Sequence, residues 1–128
     1  MKKTELRKIF NQIKKNNNYW LKGYLLAFDY GYISYELDDC IGHANSDTRT
    51  IFLNTNELNR EDIVDILIHE IAHACIYKYN TNKKYPEDNH GDKWFSFYKE
   101  LGGIGDKEYA DYWKNNGKTL IDNKLIQN

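Results

Sequence analysis

Two histidines and a glutamate stand together in the most hydrophobic stretch of the chain, at His69, Glu70 and His73. On an α-helix, side chains four residues apart project from one face at roughly 6 Å, close enough to share a metal ion. A glutamate next to the first histidine lies about 100° round the helix, where its carboxylate can meet a water molecule without binding the metal. This H-E-x-x-H spacing predicts the chemistry of a zinc hydrolase.

The residues around this motif predict a helix over residues 60–79. Asn59 is the predicted N-cap, and Glu61 and Asp62 place negative charge in the first turn, where the helix dipole favours it. A single buried histidine is most often a hydrogen-bonded core residue, but each unpaired polar group buried here would cost about 1–3 kcal/mol. A metal explains the three polar residues together better than core packing does. The apolar positions at helical spacing are Ile63, Ile66, Leu67, Ile71, Ala74 and Cys75.

A catalytic zinc ion takes three protein ligands and keeps its fourth position for water, so the motif needs a third donor. His90 is the best candidate, because a polar loop with the only proline stops the helix and lets the chain return. Gly91 would supply backbone freedom beside this ligand. Zinc also accepts carboxylates. The rival donors in the same stretch are Glu87, Asp88 and Asp92.

The segment after the third candidate ligand predicts an amphipathic helix over residues 93–101, closed by Gly102 and Gly103. Its aromatic residues would pack it against the metal helix and hold His90 over the site. A last helix is predicted over residues 107–115, followed by a polar tail with a short strand candidate at 120–121. The inward-facing residues predicted for the last helix are Tyr109, Tyr112 and Trp113.

Before the motif, the sequence predicts one helix and a small antiparallel sheet. The helix covers residues 4–15, and residues 19–30 fit either helix or strand. Strands are predicted at 32–37, 40–44 and 50–54, with a turn over 45–47. His43 is expected to be a partly exposed strand residue, and an edge strand of such a sheet could capture an extended peptide. The fold class predicted is α+β, with the sheet packed on the H-E-x-x-H helix.

The order of these motifs resembles the SprT-like zinc metallopeptidase family, which includes the Spartan DNA–protein crosslink proteases. The likeness covers roughly residues 1–105 and rests on H-E-I-A-H-A at 69–74 and H-G-D-K-W at 90–94. Family members are similar, with H-E-x-x-H-A followed by H-G-x-x-W or H-G-x-x-F. The resemblance implies a zincin-like domain in which His69, His73 and His90 bind zinc and Glu70 is the catalytic acid/base.

Two departures from the family pattern bear on a DNA-repair role. Many members carry a C-terminal cysteine-rich zinc ribbon, whereas this chain has only Cys40 and Cys75, so no second zinc site of that kind is expected. The DNA-binding appendages of the Spartan branch are also missing.

The net charge is −1, from 18 basic and 19 acidic side chains, so no global electrostatic field attracts phosphate groups. A weak DNA contact would therefore need a local patch. The lysines proposed for it are Lys14, Lys15, Lys83 and Lys84.

Length and composition predict a single domain over residues 1–128, with a core at about 1–105 and a C-terminal helix and tail over 106–128. The chain shows no signal peptide and no apolar run long enough to span a membrane, so a cytoplasmic monomer without a membrane partner is expected. Cys75 lies on the metal helix and is expected to be a reduced, buried thiol.

The function predicted from the sequence is peptide-bond hydrolysis by a zinc-activated water, with one zinc ion per chain and Glu70 as general base. The substrate would be a protein or peptide, including DNA-associated proteins. One alternative is a zinc-stabilised binding or regulatory module without turnover. Another is a metallopeptidase that acts on one regulatory protein.

Overall fold

A computed structural model describes residues 1–28 and 41–115 of the chain. The predicted strand at 32–37, Cys40 and the tail at 117–128 lie outside these residues. The described part has an α+β fold. Its elements are α1 (Lys3–Asn16), α2 (Asn18–Leu21), β1 (Leu25–Ala27), β2 (Gly42–Asn45), β3 (Thr50–Leu53), a 3₁₀ turn (Thr55–Glu57), α3 (Ile63–Asn80), α4 (Asp92–Glu100) and α5 (Lys107–Asn115). No helix among the described residues combines the length and apolar character that a membrane crossing requires.

The described strands form a mixed sheet in the order β1-β3-β2. β2 and β3 pair antiparallel, as the sequence predicted, with His43 opposite Phe52. β1 lies parallel to β3, with Leu25 opposite Thr50, so the sheet is not purely antiparallel. Parallel pairing requires a long connection between the two strands, and the segment from β1 to β3 is long enough because it contains β2. The ambiguous segment 19–30 thus contains both a helical turn, α2, and a strand, β1.

The first helix confirms the stripe predicted for residues 4–15 and is one residue longer at each end. Leu6 and Phe10 are buried, and Ile9 and Ile13 pack against the core beside them. This helix packs on α2, which in turn contacts α3.

The metal helix α3 begins at Ile63, later than the predicted residue 60, and its N-cap position is held by Asp62 rather than by Asn59. The reason is a local ion pair, since the Arg60 guanidinium donates to both carboxylate oxygens of Asp62 at 2.8 and 3.0 Å. These two residues therefore remain in a turn before the helix. The first helical hydrogen bond runs from the backbone nitrogen of Ile66 to the carbonyl of Asp62, at 2.9 Å.

α3 is the central element of the core. It packs against β2 and β3 on one side and against α2 and α4 on others, and every residue from Leu67 to Ile76 is buried. A helix that is buried all round needs partners for any polar group it carries. Cys75 is a buried thiol, as expected, and burial raises its pKa to about 12, so it stays protonated.

α4 ends as the sequence predicted, at the two glycines. Gly102 has a φ of 106°, and the backbone nitrogen of Gly103 donates to the carbonyl of Tyr98 at 2.8 Å. A side chain at Gly103 would place its Cβ 2.3 Å from Cζ of Tyr98, so only glycine fits against this ring. The closure turns the chain towards α5.

α5 has the bounds that the sequence predicted, residues 107–115. Tyr109 and Trp113 pack against the core, and Ala110 is buried. Tyr112 is 54% exposed, so the prediction that it faces inward was wrong. At 100° per residue, Tyr109, Ala110 and Trp113 lie on one side of the helix, whereas Tyr112 falls outside this sector.

Candidate metal centre

Three histidines from two parts of the chain converge beside the middle of α3. His69 and His73 lie on successive turns of this helix, and His90 lies two residues before α4. The Nε2 atom of His69 is 3.1 Å from that of His73 and 3.4 Å from that of His90. The candidate ligand atoms all lie within 4.8 Å of one another, and the three side chains are buried. This histidine triad is placed to bind one metal ion.

The loop that returns His90 to the site is tied to the end of α3. The Asn80 side chain donates to the carbonyl of Glu87 and accepts from its backbone nitrogen, both at 2.9 Å. The carboxylates proposed as rival donors do not join the cluster. They lie on the exposed side of the loop and the first turn of α4, at Glu87, Asp88 and Asp92.

The indole of Trp94, one turn into α4, packs against all three imidazoles. Its ring centroid lies 4.8 Å from that of His69, 5.0 Å from His90 and 5.6 Å from His73. The side chain is fully buried, as are those of its neighbours on the same helix face. The prediction that aromatic residues pack this helix on α3 is therefore confirmed, and Trp94 also contacts His90.

The protonation of His69 suits metal binding. Burial, followed by the charge of His90, holds the pKa of His69 well below its ordinary value. The imidazole is therefore neutral at physiological pH, which is the form that ligates a metal.

A small cavity of about 150 Å³ opens next to the triad. Its walls include His69 and Glu70 from α3 and Tyr109 and Trp113 from α5. Glu70 is buried beside β2, where a Cβ added to Gly42 would lie 3.3 Å from the glutamate Cγ. The absent side chain at Gly42 thus allows the strand to approach α3 closely. The arrangement places a carboxylate on the wall of a cavity that also reaches a candidate metal ligand.

His43 is only 6% exposed, so the expectation of a partly exposed residue was wrong. Its ring stacks on that of Phe52, the residue opposite it on β3, at 6.1 Å and 11°. This cross-strand pair shields the imidazole from solvent. His43 is not a member of the histidine triad.

Two further features of the site were not predicted from the sequence. The first is α5, whose Tyr109 hydroxyl lies 3.1 Å from Nδ1 of His69. Trp113 from the same helix lies 5.4 Å from the His69 ring and 5.9 Å from the His90 ring, between centroids. The only signal for these contacts was the pair of aromatic residues four apart on a predicted helix, which indicated packing and no particular partner.

The second feature is a larger cavity of about 520 Å³, which we call the basic-aromatic groove. It is next to the triad, because the Tyr77 ring in its wall stacks on His73 at 6.1 Å and 22°. No acidic side chain lines it among residues 1–28 and 41–115. The cationic and aromatic residues that define it are Lys22, Arg49, Lys78, Tyr19, Trp20 and Tyr77.

The α+β fold, with an H-E-x-x-H helix and a third histidine returned by the following loop, is zincin-like and carries a candidate metal centre. The SprT-like family model matches residues 7–112. The chain therefore belongs to the SprT-like family. The matched region reaches beyond the expected residue 105 and includes most of α5. Neither the comparison with curated proteins nor that with solved structures finds a match.

Proposed function

We propose that this protein is a zinc-dependent metallopeptidase that hydrolyses peptide bonds in a protein or peptide substrate. The observation that carries the proposal is the convergence of three imidazoles next to a buried glutamate, in the order H-E-x-x-H and then His90. Membership of the SprT-like family supports the same activity.

The donor set favours zinc. Three neutral imidazoles with an open fourth position are a known set for catalytic zinc, whereas magnesium and calcium prefer oxygen ligands. Two nitrogens that each lie about 2.0–2.1 Å from a tetrahedral zinc ion are separated by about 3.3 Å. The observed Nε2 separations of 3.1 and 3.4 Å from His69 fit this value.

In this mechanism the chain's own residues bind the metal, move the proton and exclude bulk water. A bound zinc ion would supply Lewis-acid activation of the attacking water and of the scissile carbonyl. Glu70 would accept the proton of the attacking water and then deliver it to the leaving amine. Its burial keeps bulk water from competing for that proton.

The substrate would enter the cavity whose walls include His69 and Glu70. Gly42 of β2 borders Glu70, but Gly42, His43 and Ala44 are buried. The substrate would therefore approach from the side of this cavity and not by pairing with the edge of β2.

Metal analysis followed by a cleavage assay tests the proposal. The purified protein should contain about one zinc ion per chain, and removal of the metal by a chelator should abolish cleavage of an unfolded protein substrate. Zinc added back should restore it. A chain that holds zinc but leaves every unfolded substrate and itself uncut would contradict the peptidase and favour a zinc-stabilised binding module.

We also propose that single-stranded DNA contacts the basic-aromatic groove. Successive bases stack on exposed aromatic rings while cations follow the phosphates, and Tyr19 is 68% exposed. Three cationic side chains stand in this groove although the whole chain has a net charge of −1. Two of the lysines proposed from the sequence contact other groups of the chain. The ammonium group of Lys14 donates to the Tyr24 carbonyl at 2.8 Å, and Nζ of Lys83 lies 4.3 Å from the centroid of the Tyr79 ring.

Three cations can neutralise only a few phosphates, so log affinity against log salt should have a slope of about −2, with magnitude below about 4. A titration of fluorescent single-stranded DNA at two salt concentrations measures it. Arg49→Ala should weaken binding, whereas Lys107→Ala, an exposed lysine on α5, should not. A steep slope, or equal losses in both variants, would contradict binding in this groove.

A further inference from the structure

The Tyr109 hydroxyl and the other two histidines contact opposite sides of the His69 ring. Nε2 of His69 faces His73 and His90, at 3.1 and 3.4 Å, whereas its Nδ1 lies 3.1 Å from the Tyr109 oxygen. An imidazole that ligates through Nε2 carries its proton on Nδ1 and must donate it. In this buried site the Tyr109 oxygen is placed to accept that proton.

The Tyr109 ring stacks on the ring of Tyr98, with the two centroids 5.3 Å apart and the planes at 18°, so the two phenols lie side by side. Tyr98 donates in turn to both carboxylate oxygens of Asp65, at 2.8 Å each. Burial raises the pKa of Tyr98 to about 12, so this phenol keeps the proton that it donates. Asp65 lies on α3 one turn before His69, and the chain of contacts therefore returns to the helix where it began.

A carboxylate is only an acceptor, and this fixes the direction of the hydrogen bond from Tyr98 to Asp65. The Tyr98 oxygen can then only accept from the neighbouring Tyr109 hydroxyl, whose ring is stacked on its own. A Tyr109 hydroxyl that donates to Tyr98 has used its only proton, so its oxygen would accept from His69. The imidazole would then carry its proton on Nδ1 and leave Nε2 unprotonated, facing the other histidines.

The same residues fix the start of α5. The Tyr98 oxygen accepts from the backbone nitrogen of Gly105 at 2.7 Å, and Asp65 accepts from that of Ile104 at 3.0 Å. A Cβ on Gly105 would lie 2.7 Å from Cγ of Tyr109 and 2.9 Å from the Tyr98 oxygen, so the backbone passes directly against both tyrosines. This connector thus holds Tyr109 at the distance that the contact with His69 requires.

We propose that Asp65, acting through Tyr98 and Tyr109, sets the ring orientation and the tautomer of His69 for metal binding. The two tyrosines are positioning residues, and the relay extends the carboxylate–histidine pairing that orients many metal ligands. The inference rests on the metal centre of the proposed function. It goes beyond that function, because it assigns α5 and Asp65 to the metal centre.

The test compares zinc affinity in Tyr109→Phe and Tyr112→Phe by competition with a chromophoric chelator. Both variants lose one hydroxyl from α5, but only Tyr109 contacts His69, and Tyr112 is exposed. Loss of a hydrogen-bond partner of a ligand should weaken zinc binding about 10–100-fold in Tyr109→Phe. Tyr112→Phe should bind zinc like the natural chain, and equal affinities in the two variants would overturn the proposal.

A second measurement does not need a stable variant. Nitrogen NMR of the metal-free natural chain should show His69 with its proton on Nδ1, and a proton on Nε2 would overturn the proposal. In Asp65→Asn the amide can donate as well as accept, so both the tautomer preference and the zinc affinity should weaken.

Failure of this inference is distinguishable from failure of the proposed function. A chain that cleaves peptides, with Tyr109→Phe at full zinc affinity, would overturn only the relay. A chain that cleaves nothing, with zinc affinity lowered in Tyr109→Phe alone, would overturn only the peptidase and support the relay.

Discussion

Replacing Glu70 with glutamine is expected to lower peptide-bond cleavage, including self-cleavage, by about 10²–10⁴-fold while zinc stays bound. Glutamine keeps the size of the side chain and its packing against Gly42, but it cannot accept a proton from water. The three candidate ligands are histidines, so the metal site should keep its donors in this variant. Turnover of an unfolded substrate and zinc content per chain are the two measurements.

Glu61→Gln is the matched control, because it makes the same chemical change at an exposed position before α3. It should cleave like the natural chain. If Glu70→Gln also did so, Glu70 would not be the base. If the natural chain and both variants were equally inactive but held zinc, a zinc-stabilised binding module without turnover would be the better description.

The parts of the fold that the sequence predicted well are those set by local chemistry. The apolar stripe of α1, the glycine closure of α4 and the bounds of α5 depend on residues within a few positions of one another. The start of α3 was placed too early because helix propensity does not include the Arg60–Asp62 pair, which keeps these residues in a turn. The roles of Glu70 and of the three histidines remain predictions.

Contacts between distant residues could not be read from periodicity. The parallel pairing of β1 with β3 and the burial of His43 both depend on the path of the chain between the strands. The contact between Tyr109 and His69 joins residues 40 apart, on different helices. An aromatic residue on a predicted helix indicates that it packs inward, but its partner is decided by the tertiary fold.

His90 is an intermediate case, and its substitution has the second largest expected effect. The loop and the glycine after it made a return to the helix plausible, but three carboxylates nearby were equally acceptable to zinc. In the described structure His90 joins the triad, and these carboxylates are exposed. Because α3 supplies only two of the three imidazoles, the returning loop decides whether the centre is complete.

We therefore expect His90→Ala to weaken zinc binding by more than the roughly 10–100-fold typical of a lost hydrogen-bond partner, because a ligand itself is removed. α1 and α3 should keep their helical content, since His90 lies outside both helices. Competition with a chelator measures the zinc affinity, and circular dichroism measures the helical content.

Two control variants accompany this test. Glu87→Ala, from the exposed part of the same loop, should bind zinc normally. His90→Asp, which restores a donor that zinc accepts, should regain part of the loss. A fully occupied site in His90→Ala would instead transfer the third-ligand role to Glu87, Asp88 or Asp92.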